Sequence, residues 1–567
     1  MTVSKDDRPV LAIYDIRGIQ EFIFRSSRLK EIIGGSKLLE NILMDSLKKA
    51  ASGCSENSSP GSVHKAEDDL FLFDWRESCE NEQEMLRFFE DSAIQMELLY
   101  EGGGNACALF RNKEICSRIN REMAKIVMED TYSLQLATAV VPVGDHFDYS
   151  EDYQNLQNEL RRVKAEMPYS VRPGALPVMK RDALTGLPAV NKGGQNQYIN
   201  KETELKLKAF EKIDKNQELE KEFDRMVLEK GKDSTIAIVH IDGNGMGEKI
   251  RDLLSRPQET SGNAQSDYSK AVSKVRKISK RITDAYNDTL NKVQKHCDLM
   301  YIKDGGKGLN PFRIVVSSGD DITFVCRGKY ALNLAEAFCR DISVKQIWDS
   351  TEENALDRYG FSVCAGIAFL HSHFPFSIAY QVAEACCASA KKRAKQEKNS
   401  LYLDKQNHPQ RRYIGNWLDF QICKSVQSSD FEAKREDDYR LTDGSWLLRR
   451  PYYVPVSTES IKRELDKQIN DIDRDEKNSA PTMDDFRTAY LYFSDRDKIP
   501  SSLAKLLRNI YSQGADEMNL LLDFQKSRDR DFEKDLGRKA FENGIASWYD
   551  ALEIDELYTD EETEDIE

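Results

Sequence analysis

Residues 234–250 read STIAIVHIDGNGMGEKI: an apolar run of strand length enters a glycine-rich turn and then a helical pattern. The same plan opens the chain, where VLAIYDI (10–16) leads into a helical pattern through Phe22, Ile23 and Leu29. Laying Gly18 on Gly243 places Leu11 over Ile236 and Ile13 over Ile238, so the two strands fall into register. Each unit continues with a hairpin carrying glycines at its tip, LLYEGGGNACALF (98–110) and IVVSSGDDITFVC (314–326). Each then ends in a strand of short residues, LATAVVPV (136–143) and FSVCAGIAF (361–369). Strand, helix, hairpin, helix, strand is the order of a βαββαβ domain, and two copies make duplication the most economical account. The expected fold class is α+β, with two ferredoxin-like (βαββαβ) domains and a C-terminal helical domain.

A chain of 567 residues, 40% apolar and 32% charged, is neither disordered, collagenous nor disulfide-stapled, and has room for about four compact units. The pattern divides it into a first domain (1–149), a polar connector (150–230), a second domain (231–409), a helical domain (410–549) and an acidic tail (550–567). In the helical domain, SLAKLLRNIYSQGADEMNLLLDF (502–524) repeats its apolar residues at three and four. Ten acids and no base fall in 550–567, so the net charge of −15 is only −5 without the tail, and a local basic cleft is compatible with it. The tail itself reads as a solubilising, disordered end. Eleven cysteines, an odd number without C-x-x-C spacing, read as reduced thiols of a cytoplasmic protein with no structural zinc. No apolar stretch is long enough for a membrane span, and MTVSKDDRPV lacks the apolar core of a signal peptide.

The residues suited to chemistry lie in the second unit. Asp242 ends an apolar strand, and Asp320 with Asp321 forms the tip of a hairpin whose strand neighbours it in a βαββαβ sheet. Ordinary turn chemistry would account for the Asp-Asp pair alone, but not for the matching Asp242. Clustered carboxylates repel unless a cation neutralises them, and oxygen-only ligands favour Mg²⁺ or Mn²⁺ over zinc. Behind Asp242, Gly243, Asn244, Gly245 and Gly247 lead into a helix whose first amides suit a phosphate. A second basic stretch, SKAVSKVRKISKRI (269–282), has Val275, Ile278 and Ile282 at helical spacing and reads as the wet side of an amphipathic helix.

These residues resemble a family. IDGNGMG (241–247) and SSGDD (317–321), followed by VCAGIAFLHSHFPF (363–376) and AEACCASAKKRAK (383–395), look like the catalytic palm of the CRISPR polymerase family. Its members are the large subunits of type III CRISPR effector complexes, related more distantly to GGDEF and nucleotide cyclase palms. YDIRGIQEFIF (14–24), LKEIIGGSKLLE (29–40) and YEGGGN (100–105) look like that family's first, non-catalytic palm, and LTDGSWLLRRPYY (441–453) is also similar. The resemblance implies that Asp242, the Gly243 carbonyl, Asp320 and Asp321 hold metal, that Ser318 and Gly319 border the nucleotide, and that Lys395 meets its triphosphate. Three departures stand out: Ser318 replaces the usual first glycine of the hairpin motif, no His-Asp dipeptide marks an HD nuclease, and the connector RDALTGLPAV (181–190) lacks the cysteines of the family's zinc finger. DNA cleavage by an HD site is therefore not expected, and the connector should fold without metal.

In the repeat alignment Arg17 falls on Asp242, while Gly104 and Asn105 fall on Asp320 and Asp321, so chemistry should reside in the second palm. The family resemblance implies that the first palm holds a second nucleotide against the reacting one. The activity implied is joining of ATP by 3′-hydroxyl attack on an α-phosphate to make a cyclic oligoadenylate messenger for antiviral defence. A cyclic dinucleotide or mononucleotide cyclase using the same site is the alternative enzyme, and a non-catalytic RNA-binding scaffold of a ribonucleoprotein is the alternative class. RNA, other effector-complex subunits or further copies of the chain are the macromolecular partners that this reading leaves open.

Overall fold

The computed structural model describes residues 8–26, 28–55, 70–76, 85–102, 104–168, 174–193, 197–214, 234–255, 262–306, 310–345, 361–395, 415–424, 431–455, 481–529, 532 and 534–560. The chain forms two compact units, one of Met1–Glu222, Gly245–Tyr286 and Val315–Asp321, the other of Phe223–Asn244, Asn287–Ile314 and Ile322–Glu567.

In the first repeat, β1 (Val10–Arg17) precedes α1 (Leu29–Leu39), β2 (Phe71–Leu72), β3 (Met96–Gly102), β4 (Asn105–Phe110), α2 (Lys113–Thr131), β5 (Gln135–Pro142) and α3 (Tyr149–Glu166). The sheet order is β2-β3-β4-β1-β5, with β1 antiparallel to both neighbours and Asp15 opposite Asn105. Helix α2 starts where Asn112 Oδ1 accepts the Ile115 amide at 3.0 Å, and it buries Cys116, Ile119, Met123 and Val127 at helical spacing. The connector helix α4 (Lys201–Asp214) lies against α1, where a Cβ added at Gly34 would be 1.9 Å from the Lys206 carbonyl oxygen. Lys206 is buried there, paired with Glu202 at 2.8 Å, and Glu202 also takes Arg25 at 2.6 Å. Ahead of α4, Asp182 of the connector segment RDALTGLPAV accepts the side-chain and backbone amides of Asn200 at 2.9 and 3.0 Å.

The second repeat runs β6 (Thr235–Gly243), α5 (Met246–Ser255), α6 (Ala264–Lys303), β7 (Phe312–Ser318), β8 (Asp321–Arg327), α7 (Ala331–Ser343), β9 (Val363–His371) and α8 (Phe376–Ala394). With two later strands, β10 (Asn416–Ile422) and β11 (Tyr452–Val454), its sheet order is β11-β10-β9-β6-β8-β7, which contains the same core arrangement as the first: hairpin strands, opening strand, closing strand. The small residues of the closing segment have a packing reason. A Cβ at Gly366 would lie 2.0 Å from the Ala383 carbonyl oxygen and 2.3 Å from the Cys387 amide, so the glycine lets α8 rest its backbone on β9.

Two strands extend this sheet beyond the boundary drawn at 409/410. β10 (Asn416–Ile422) runs parallel to β9, and β11 (Tyr452–Val454) pairs antiparallel with β10. The helical part follows as α9 (Phe431–Tyr439), α10 (Met483–Ser494), α11 (Ser501–Tyr511), α12 (Ala515–Arg528) and α13 (Tyr549–Ile554), of which α9 lies between β10 and β11. Helix α10 opens with a capping box of Thr482 and Asp485.

The expectation of a disordered acidic tail needs correction for its first half. Asp550 and Glu553 are buried, and Arg450, itself 4% exposed, meets them at 3.3 and 3.0 Å. Asp550 Oδ2 also accepts Tyr452 Oη at 2.7 Å and the Arg450 amide at 2.9 Å. Farther on, Asp560 pairs with Arg487 at 2.9 Å. Acidic composition thus conceals counter-charges for the buried Arg450 and the half-buried Arg487, while 561–567 lie outside the described residues. Because removing one partner leaves buried charges without compensation, Arg450→Ala is expected to cost about 3–5 kcal/mol in denaturant unfolding. An additional Asp550→Asn and Glu553→Gln should recover part of that loss.

Candidate functional site

Strand β6 is apolar and buried from Ile236 to Ile241, apart from His240, and carries Asp242 at its end. Its ladder with β9 closes on Asp242 opposite Cys364 and Gly243 opposite Val363. The Asn244 amide then donates to Ser362 O at 2.8 Å, and its side chain donates to Gly415 O at 3.1 Å, which pins the turn. Gly245, at φ +67°, supplies the left-handed step that starts α5. Gly247 is exposed in the first turn, with open space where a Cβ would stand.

Asp320 and Asp321 occupy the β7–β8 turn. The connection has two residues, Gly319 and Asp320, with φ +63° at Gly319, the pattern of a type II′ hairpin that keeps the twist of both strands. Asp321 begins β8, which the sheet order places next to β6. Lys249, in the first turn of α5, is pushed down to about 8 by burial, while the Asp320 charge works in the opposite direction.

At the end of β6 the cation is Lys391. Its ammonium is paired with Asp242 Oδ2 and donates to Gly243 O at 3.4 Å. Burial would lower the Lys391 pKa, but the adjacent Asp242 carboxylate outweighs it, so Lys391 is held above the ordinary lysine value. His240, two residues before Asp242, lies 3.0 Å from Thr323 Oγ1 and is pushed down to about 4 by burial, against the pull of Asp242. That imidazole is neutral at physiological pH. Lys395 caps the C-terminus of α8, exposed and one turn beyond Lys391.

Lys249, Lys391 and His240 were not among the expected site residues. Lys249 follows directly on the glycine turn of IDGNGMGEK, and Lys391 belongs to the basic run that contains Lys395, so both lie within motifs already singled out. Among the described residues no three His, Cys, Asp or Glu side chains group as a preassembled metal site. The donor chemistry nevertheless fits a hard cation: the Asp242 carboxylate and the Gly243 carbonyl, both oxygen donors, face one positive charge, the Lys391 ammonium.

The first repeat is built differently at matching positions. Arg17 donates to Met167 O at 2.6 Å, capping the end of α3, and Asp15 is paired with Lys164. Among the described residues no helix is long and apolar enough to cross a membrane.

Residues 235–402 match the family model of the Cas10/Cmr2 second palm domain. No curated protein sequence matches the chain. Among solved structures, Csm1 in T. onnurineus overlaps at TM-score 0.42 and 14% identity, over 97% of this chain and 69% of that one. A Csm1–Csm4 cassette in complex with cA4 overlaps at TM-score 0.41 and 14% identity, over 98% of this chain and 70% of that one. An apo Csm1–Csm4 cassette gives TM-score 0.38 and 14% identity over 68% of this chain, which spans about half, 53%, of that one.

Proposed function

We propose, from the match of residues 235–402 to the Cas10/Cmr2 second palm domain, that the chain is a nucleotidyltransferase joining ATP molecules into cyclic oligoadenylates in CRISPR-type defence. The observation that carries the reading is the pair of oxygen donors, Asp242 and Gly243 O, directed at a single cation at the end of β6. Asp320 and Asp321 supply further carboxylates from the turn that begins the neighbouring strand. Mg²⁺ or Mn²⁺ held by these groups would make the attacking 3′-hydroxyl more acidic and neutralise the leaving pyrophosphate.

The chain's own residues do the rest. Released from Asp242, the Lys391 ammonium is placed to meet the triphosphate, with Lys395 one turn farther along α8. Lys249 offers a second cation on the α5 side, and the amides of the first α5 turn, with Gly247 open in front of them, suit a phosphate oxygen. Ser318 and Gly319 border the nucleotide from the hairpin, and the first hairpin tip, at Gly104 and Asn105, holds the second nucleotide. RNA and the subunits of a ribonucleoprotein are the partners this reading assigns.

The competing reading, a palm that binds without catalysis, is favoured by the Asp242–Lys391 pair, which engages one of the assigned metal ligands. Incubation with ATP, GTP or both, with Mg²⁺ and with or without RNA, followed by mass analysis, separates the readings. Cyclic oligoadenylate is expected from ATP. A cyclic dinucleotide or mononucleotide would select the cyclase alternative, and absence of any product under all conditions would select the scaffold.

A further inference from the structure

Helix α6 grips the first hairpin by its backbone. Arg276, 5% exposed, donates from Nε to Leu99 O at 2.7 Å and from Nη2 to Leu98 O at 2.9 Å, and Nη2 also meets the Glu97 carboxylate at 2.9 Å. The β3–β4 ladder changes register between Leu98 and Tyr100, and a β-bulge leaves backbone groups without ladder partners. Arg276 takes up the carbonyls at that break. Glu97 is buried as well, and its other oxygen accepts the Phe88 amide at 2.8 Å. Moving a guanidinium with two carbonyl acceptors and a buried counter-charge is costly, so the bulge is fixed to α6.

One turn farther along, Ser279 Oγ donates to Glu101 O at 3.2 Å and stands directly in front of Gly102, where an added Cβ would come within 2.5 Å of it. The tip follows at once. Gly104, at φ +75°, is the left-handed residue of the turn, and an added Cβ there would lie 3.4 Å from Ser318 Oγ. Contacts on α6 therefore hold Glu101 and Gly102, and Ser318 faces Gly104. The helix that leads toward the β7–β8 hairpin is also the support of the first hairpin.

We propose that Arg276 and Ser279 are positioning residues: through the β3 bulge and Gly102, α6 sets where the first hairpin tip stands against Ser318, and thereby the affinity for the nucleotide held at that tip. This rests on the nucleotidyltransferase reading above. Arg276 fixes the hairpin along its strand, whereas Ser279 sets how closely the tip approaches the helix, a limit that exists because residue 102 has no side chain. Neither residue touches the reacting atoms. Disturbing them should therefore act on the Michaelis constant for ATP more than on turnover at saturation.

Gly102 does not have a left-handed φ, so alanine there adds a methyl group without backbone strain, and its effect reports the contact with Ser279. Gly102→Ala, Ser279→Ala and the double variant should be compared by ATP steady-state kinetics with Mg²⁺, by amide exchange across residues 101–106 and by thermal unfolding. Gly102→Ala is expected to raise KM about tenfold with kcat within about twofold, and to speed exchange at the tip, because a small displacement of a positioning element is enough for such losses. Adding Ser279→Ala should restore both quantities, since the Ser279 Cβ lies at an ordinary contact distance, 3.8 Å, from the added methyl group. All three variants should melt with the parent. Unchanged KM and exchange in Gly102→Ala, or a defect that Ser279→Ala does not relieve, would overturn the proposal. If the parent consumes no ATP with Mg²⁺ or Mn²⁺, the nucleotidyltransferase reading fails instead, and the exchange pattern of the three variants still decides whether α6 positions the tip.

Discussion

The Asp320→Ala, Asp321→Ala double variant is expected to lose ATP turnover by at least two to three orders of magnitude while remaining folded. Losing one preorganised electrostatic contact to a transition state typically costs about 10²–10³ in rate, and here two full charges leave the same turn. The fold should survive because the turn itself is fixed by Gly319, at φ +63°, and by the ladder of β7 with β8, neither of which needs a carboxylate. One compensating change is foreseeable. Asp320 is the group that opposes the burial of Lys249, so without it the Lys249 pKa, already about 8, should fall further and more of that lysine should be neutral at pH 7. Far-ultraviolet circular dichroism and thermal unfolding should match the parent closely, while product, followed by mass, should be below a few per cent. Synthesis above that level in a folded double variant would place the active site elsewhere.

The two palms were legible because their strands are apolar runs of ordinary length separated by glycine turns, signals that survive without tertiary information. β10 was not. NWLDFQI is buried along both faces, so it lacks alternation, and Asp419 in its middle reads as a surface residue. In the fold Asp419 is a buried partner of Arg435, held by two bonds of 2.8 Å. The pairing of Lys391 with Asp242, where the sequence singles out Lys395, was not legible for a different reason. Ala383, Cys387, Lys391 and Lys395 follow one another at intervals of four and share a helix face. Gly366 brings the backbone at Ala383 and Cys387 against β9, so Lys391, one turn on, reaches Asp242, which pairs with Cys364 of β9. The face was readable from the spacing, but the point at which the sheet ends beneath it depends on the β6–β9 register.

Asp242→Asn and Asn105→Ala are expected to part company in a magnesium titration, and the structure sharpens the reason. At the end of β1 the position matching Asp242 is Arg17, whose guanidinium caps the α3 terminus at Met167 O, so a cation already stands where the second palm offers a carboxylate. The first palm does retain one carboxylate that the repeat alignment passed over: Asp15 lies opposite Asn105 in the ladder. Burial raises its pKa, its ion pair with Lys164 opposes that, and the pair leaves no net charge for Mg²⁺ to neutralise. On the proposed reading Asn105→Ala removes an amide from a hairpin that holds no metal, and should move nucleotide affinity alone. Asp242→Asn keeps the shape of the side chain but removes the charge that Lys391 now balances, leaving that ammonium to repel a divalent ion. Its rate at saturating ATP should fall about 10²-fold and its magnesium midpoint should shift upward. Adding Lys391→Met to Asp242→Asn should bring the midpoint partly back, because the repelling charge is then gone. An equal midpoint shift in Asn105→Ala would mean that the first hairpin shares in holding metal, and that Asp15, once freed from Lys164, supplies the charge.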